Sequence, residues 1–229
     1  QRPAPPADAR RALIYTPYNL TPGGGERYLL TLADALSTRF NVTIATPHPY
    51  SHLRLTNLAC VFGLDLSGCR IVTELDLPDE PEFDIQVVMG NHVTPPIPAQ
   101  ARDSYYHCQF PFPLPADGTP DPALLTGYRA VLVNSDFTRR NVLQGMQRYN
   151  LPMVRTDILY PPVPPYEGDA RAKKKRMILT VGRFFVGGHA KRHDLLIEAF
   201  RSLAQRVGGD VEFHLAGSST PGPEHMDYL

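Results

Sequence analysis

The sequence predicts an α/β fold in which a first domain with a Rossmann-like parallel sheet precedes an incomplete second domain of the same kind. Short apolar runs typical of strands alternate with helical patterns from residue 11 onwards. The segment Tyr160–Pro165 holds four Pro in six residues and predicts a stiff, extended connector. A second strand–helix–strand pattern follows it. We therefore assign residues 1–10 to a disordered lead-in, 11–159 to the first domain, 160–175 to a linker and 176–229 to the start of the second domain.

The opening of the first domain predicts a βαβ unit. Ala12–Tyr15 and Asn41–Ala45 are apolar runs of strand type. Between them one apolar stripe at helical spacing predicts a helix that contains Tyr28, Leu29, Leu32, Ala33 and Leu36. Two strands joined by a helix form a parallel pair with a right-handed crossover.

Six more strands are predicted in the first domain: Ala59–Phe62, Arg70–Thr73, Ile85–Met89, Ser104–His107, Ala130–Asn134 and Asp157–Leu159. Ser135 can cap a helix whose apolar side would contain Phe137, Val142 and Met146. Residues 95–122 hold eight Pro. We expect long surface loops there around one strand, and long loops in compact domains are often functional.

The second domain begins with a strand at Met177–Val181 and a loop over residues 182–190. A helix is predicted over Lys191–Arg206, and a further strand over Val211–Leu215. The apolar stripe of that helix would be Leu195, Leu196, Ala199, Phe200 and Leu203. Two strands and a helix do not complete a doubly wound domain, so we expect the remainder to be absent from this chain.

Composition and charge exclude several classes of protein. The 23 Lys and Arg residues balance the 23 Asp and Glu residues, which argues against a nucleic-acid-binding protein that works by bulk positive charge. The three Cys residues lack the spacing of metal ligands. No apolar run is long enough to span a membrane, and the first residues lack the apolar core of a signal peptide. We therefore expect a cytoplasmic protein without a metal or nucleic-acid partner.

The glycines at Gly23, Gly24 and Gly25 lie between the first strand and the first helix. Glycine lets the backbone approach a bound group, and the free N–H groups of a helix start favour an anion. This pattern predicts a phosphate or sugar contact, while a tight turn without a ligand remains the alternative. The spacing is not Gly-x-Gly-x-x-Gly, which disfavours NAD.

Two cations flank the corresponding turn of the second domain. Arg183 follows a strand and Lys191 opens the next helix. Two cations at a helix N-terminus suit a diphosphate. The alternative is a solvated basic loop.

The sequence resembles the retaining glycosyltransferases of family 4, which have the two-Rossmann GT-B fold. The matching motifs occur in the family's order over nearly the whole chain. They are Thr21-Pro-Gly-Gly-Gly-Glu26, Asn134-Ser-Asp-Phe-Thr138, Tyr160-Pro-Pro-Val163, Val181-Gly-Arg-Phe184, Lys191-Arg-His-Asp-Leu-Leu-Ile-Glu-Ala-Phe200 and Leu215-Ala-Gly217. The family's Glu-x7-Glu motif has no counterpart in the chain.

The resemblance implies an enzyme that moves a sugar from a nucleoside diphosphate sugar (UDP-, GDP- or ADP-sugar) to a glycan, lipid-linked or small-molecule acceptor, with retention of configuration and without a metal. It implies that Arg183 and Lys191 bind the donor diphosphate and that Gly23–Gly25 contact the donor. Such an enzyme can contact the inner face of a membrane.

The resemblance also implies further residues of the site. His107 resembles the strand-end His that lies near the transferred sugar in the family, and it ends a strand where the ligand sites of open sheets lie. A His with a structural role in the core or a loop is the alternative. His92, Asn134 and Ser135 are expected at the acceptor side or cleft.

Three functions remain open at the level of sequence. The first is the retaining glycosyltransferase, expected to be weakly active or inactive as this chain alone. The second is a non-catalytic sugar- or nucleotide-binding fragment or acceptor-binding domain. The third is another GT-B enzyme, such as a nucleotide-sugar epimerase, because a shared fold does not decide the chemistry.

Overall fold

The computed structural model describes residues 9–77, 83–114, 118–165, 168, 171, 173–184, 191–208 and 210–217. The chain divides into two compact units, residues 1–164 and 165–229. The division lies within the segment 160–175 that the sequence assigns to a linker. The loop predicted at 182–190 lies largely outside the described residues.

The first unit is built on a seven-stranded parallel sheet, which confirms the predicted α/β fold. Its strands are β1 (Arg11–Tyr15), β2 (Asn41–Thr46), β3 (Arg70–Thr73), β4 (Phe83–Gly90), β5 (Ala101–Cys108), β6 (Tyr128–Val133) and β7 (Thr156–Ile158). They are arranged in the order β3-β2-β1-β4-β5-β6-β7. The order reverses between β1 and β4, and open sheets of this kind bind ligands outside the carboxyl ends of the strands at that reversal.

Helices α1 (Gly24–Leu36), α2 (His52–Phe62) and α3 (Asp136–Arg148) accompany this sheet, which has a core on each face. Ala12 and Ile14 of β1 belong to one apolar cluster, and Leu13 and Tyr15 belong to the other. Because successive side chains of a strand point to opposite faces, these clusters cover the two sides of the sheet. Residues of α1 and α2 lie in the first cluster and residues of α3 in the second.

The strand predicted at Ala59–Phe62 is wrong, because these residues form the last turn of α2. Ser51 caps this helix by accepting a hydrogen bond from the Arg54 N–H, and Gly63 ends it in a left-handed conformation. The buried residues of the helix, Leu55, Leu58 and Ala59, follow helical spacing. A short apolar run cannot be assigned to a strand or a helix by itself, and here the caps decide.

The assignment of Phe137 to the apolar side of α3 is also wrong. Its side chain is 59% exposed, whereas Thr138, Val142 and Met146 are the buried residues of the helix. These three positions are each four residues apart, which places them on one face. Ser135 caps α3 as predicted.

The second unit contains a two-stranded parallel sheet of β8 (Met177–Val181) and β9 (Glu212–Ala216), and helix α4 (His193–Val207). The helix begins two residues later than predicted. Phe200 contacts Phe213 of β9 at 4.9 Å between ring centroids. Leu195 and Leu196 are 54% and 38% exposed, so the predicted stripe is only partly covered.

Candidate functional site

The loop at Gly23–Gly25 lies at the carboxyl end of β1 and opens α1, as the sequence predicts. Gly23 is the N-cap residue and provides no side-chain hydrogen bond to the helix. A Cβ atom added to Gly25 would lie 2.8 Å from Oε1 of Gln109. The absence of a side chain at this position therefore lets the Gln109 amide lie directly against the start of α1.

Gln109 connects the loops that follow several strands, and the sequence analysis did not identify it. Its backbone N–H donates to the Gly90 carbonyl at 3.0 Å, and its own carbonyl accepts from Nδ2 of Asn134 at 2.9 Å. Its side-chain Nε2 lies 2.9 Å from Sδ of Met89. The contacts join the carboxyl ends of β4, β5 and β6 to the glycine loop. Its position two residues after the predicted strand Ser104–His107 was the signal in the sequence.

Asn134 and Ser135 are engaged in the local structure of this edge. Ser135 Oγ accepts the Thr138 N–H at 3.2 Å, and Asn134 Oδ1 accepts from Thr138 Oγ1 at 2.6 Å. Together with the bond to Gln109, these contacts hold the loop between β6 and α3. Both side chains are positioned to shape the edge of the sheet.

His107, the second-last residue of β5, is buried beneath α1. Its side chain is 1% exposed, and its ring stacks on Tyr28 with centroids 4.1 Å apart and planes inclined by 13°. Neither ring nitrogen has a hydrogen-bond partner among the described residues. Burial lowers the pKa of His107 to about 4, so the imidazole is neutral at pH 7.

Tyr28 covers His107 and is itself held in place. Its hydroxyl donates to the Leu159 carbonyl at 2.8 Å. Tyr28 therefore covers one face of the imidazole. The catalytic role of His107 stays a prediction.

His92 follows β4, and its backbone rather than its ring is anchored. Its carbonyl accepts from the Tyr106 hydroxyl at 2.6 Å and from the Cys108 thiol at 3.3 Å, while the side chain is exposed. Burial raises the pKa of Cys108 to about 12, so its thiol keeps its proton. The His92 ring is thus available at the surface beside a rigid turn.

Glu26 places negative charge at the start of α1. A Cβ atom on Gly23 would collide with its carboxylate, so this carboxylate lies against the glycine loop. An acidic group there competes with a phosphate for the helix N-terminus.

In the second unit, Lys191 lies close to the end of β8. A Cβ atom on Gly182 would lie 2.7 Å from Cγ of Lys191 and 3.5 Å from Cε1 of His193. Arg183 is the next residue after Gly182, and both cationic side chains are exposed. Lys191 therefore packs against Gly182, the residue before Arg183, at the start of α4.

His193 lies at this same turn, and the sequence analysis did not single it out. It is 0% exposed, and neither ring nitrogen has a hydrogen-bond partner among the described residues. The Phe184 ring lies 5.1 Å away from its own. A buried imidazole packed against Gly182 supports the backbone next to Arg183 and Lys191.

The described part of the chain contains neither a cluster of metal ligands nor a membrane-spanning helix. No group of three or more His, Cys, Asp or Glu side chains there could hold a metal ion. None of the helices within those residues is long and apolar enough to cross a membrane.

Comparison with known proteins finds similarity to solved structures. No family model and no curated protein matches the chain. The chain is similar to the solved structure of TarM, with 16% sequence identity and a TM-score of 0.45 over 67% of this chain and 31% of TarM. The chain thus spans about a third of the length of that protein.

Proposed function

We propose that the protein is a GT-B glycosyltransferase that moves a sugar from a nucleoside diphosphate sugar to an acceptor and retains the anomeric configuration. The observation that carries this proposal is the contact between Lys191 and Gly182, which gathers two cations at one helix start. Several of the motifs that resemble the family, at residues 21–26, 134–138 and 181–184, lie between a strand and the following helix, where α/β sheets bind ligands.

In this proposal Arg183 and Lys191 bind the donor diphosphate. Both side chains are exposed, and they flank the N-terminus of α4. The peptide dipoles there favour an anion, and the acidic Asp194 of the first turn is paired with Arg192. A hydrogen bond between a charged group and phosphate contributes about 1.5–3 kcal/mol. Because charge on the leaving group grows in the transition state, the cations accelerate the reaction without a metal.

The first unit receives the sugar and the acceptor. The Gly23–Gly25 backbone contacts sugar hydroxyl groups, since Glu26 lies beside it. His107 acts at the transferred sugar once Tyr28 has moved. His92 is available to the acceptor at the surface, and Asn134 and Ser135 hold the adjoining loop.

A nucleotide-sugar screen tests this function. The longest natural protein that contains this chain would be incubated with UDP-, GDP- and ADP-sugars, and released nucleoside diphosphate would be measured with and without EDTA. We expect release with at least one donor and an unchanged rate in EDTA. If no donor released nucleoside diphosphate, the proposed enzymatic activity would be contradicted. Binding of a donor without release would favour the non-catalytic alternative.

A further inference from the structure

A cavity of about 390 Å³ lies between α3 and the segment that follows β5. Its walls are Val93, residues 110–113, and the α3 face and following turn that carry Asn141, Gln144, Gly145, Arg148 and Tyr149. The volume falls in the range of about 300–1,000 Å³ that is typical of small-molecule sites. No residue of the proposed donor or sugar site lines it.

Two phenylalanine rings, Phe110 and Phe112, line one side of the cavity, and the Phe137 ring lies next to them outside the lining. Phe110 contacts Phe112 at 4.9 Å and lies 6.2 Å from Phe137, with the planes of the latter pair inclined by 14°. None of the three belongs to either core cluster, and Phe137 is 59% exposed. The core therefore does not explain why aromatic rings occupy these positions.

Polar side chains of α3 form the opposite side. Asn141, Gln144 and Arg148 are three and four residues apart, so they share one face of the helix. Asn141 Nδ2 donates to the Phe137 carbonyl at 2.8 Å, which leaves its Oδ1 free to accept. Gln144 and Arg148 are exposed and have no hydrogen bond or ion pair with the described residues.

The cavity wall is held by its backbone. The Phe112 N–H lies 2.8 Å from the Asn91 carbonyl and 3.0 Å from the Phe110 carbonyl. Pro111 and Pro113 restrict the same segment, because their rings fix the backbone φ angle. A ligand would thus meet aromatic rings that are already in place.

We infer that this cavity binds a saccharide. The C–H face of a sugar ring packs on phenyl rings, while its hydroxyl groups need planar donors and acceptors such as amides and a guanidinium. An alkyl chain would fill the aromatic side but would bury Gln144 and Arg148 without partners, which is costly. The cavity is an acceptor subsite if the proposed transferase function holds.

The inference is tested by binding of the full chain to maltotriose, cellotriose, chitotriose and trigalacturonate, measured by saturation-transfer NMR and calorimetry. Sodium decanoate serves as the apolar probe. At least one trisaccharide should bind. Phe112→Ala should weaken that binding roughly threefold to tenfold, through the loss of aromatic contact. Arg148→Ala should weaken it about tenfold.

Met153→Ala is the control, because Met153 is a large apolar residue that is 59% exposed and lies outside the cavity. It should bind saccharide like the wild type, and circular dichroism should be unchanged in all three variants. Absence of trisaccharide binding, equal affinity in all variants, or binding of decanoate alone would overturn the inference.

The same measurements separate this inference from the proposed function. Saccharide binding needs no donor, so binding that depends on Phe112 would stand even if no nucleoside diphosphate were released. Conversely, a transferase whose acceptor KM is unchanged in Phe112→Ala and Arg148→Ala would retain the function and lose the subsite.

Discussion

His107 is buried against Tyr28, and this environment makes its protonation depend on folding. Burial lowers its pKa to about 4 in the folded chain, whereas an exposed His titrates near about 6.5. Between these values the unfolded chain binds the proton and the folded chain does not. The contribution to stability is therefore fully present above about pH 6.5 and is lost as the pH falls towards about 4.

We predict that His107→Phe flattens the pH dependence of stability, because phenylalanine keeps a ring against Tyr28 and cannot titrate. Between pH 7.5 and 4.5 the wild type should lose about 2–3 kcal/mol more of its free energy of unfolding than the variant does. Urea titrations followed by circular dichroism measure this difference.

The exposed His52 provides the control for that experiment. His52→Gln should keep the wild-type pH dependence. Equal pH dependence in the wild type and His107→Phe would show that burial does not keep this imidazole neutral.

The sequence indicated several site residues but not their contacts. His107 was indicated by its place at the end of a predicted strand, and the glycine loop by its place between a strand and a helix. Lys191 and Arg183 were indicated by their charge at a predicted turn. The stacking of Tyr28 on His107 and the hydrogen bonds of Gln109 depend on which strands are neighbours in the sheet. Local patterns do not contain that information.

At the level of elements, α2 shows where periodicity was insufficient. Its residues 59–62 alone have the composition of a strand, and only the Ser51 cap and the Gly63 turn distinguish the helix. Gly63 has a φ angle of 69°, in the left-handed region that favours glycine.

We predict that Gly63→Ala lowers the free energy of unfolding by about 1–2 kcal/mol, because a Cβ atom is unfavourable at that φ angle. Gly68→Ala is the matched control, since neither glycine has a neighbouring atom within 4 Å of an added Cβ and only Gly63 has a positive φ angle. Gly68→Ala should be neutral or slightly stabilising. Equal effects in thermal unfolding of the two variants would contradict the left-handed end of α2.

At the level of the whole molecule, alternation of strands and helices was enough to predict the parallel sheet. The strand order was not predictable, because it depends on tertiary packing rather than on local pattern. The exposure of Leu195 and Leu196 was not predictable for the same reason. Helical spacing shows that one face of a helix is apolar, but it does not show what covers that face.

The central claim is that two cations of the second unit stabilise the leaving diphosphate. The most direct test is kcat/KM for nucleoside diphosphate release in the longest natural protein that contains this chain. Lys191→Ala and Arg183→Ala should each lower it roughly tenfold to more than a hundredfold, and Lys191→Arg should restore it only in part. Lys173→Ala, which removes an exposed charge elsewhere in the unit, should leave it unchanged. Wild-type kinetics in both Lys191→Ala and Arg183→Ala would contradict the account.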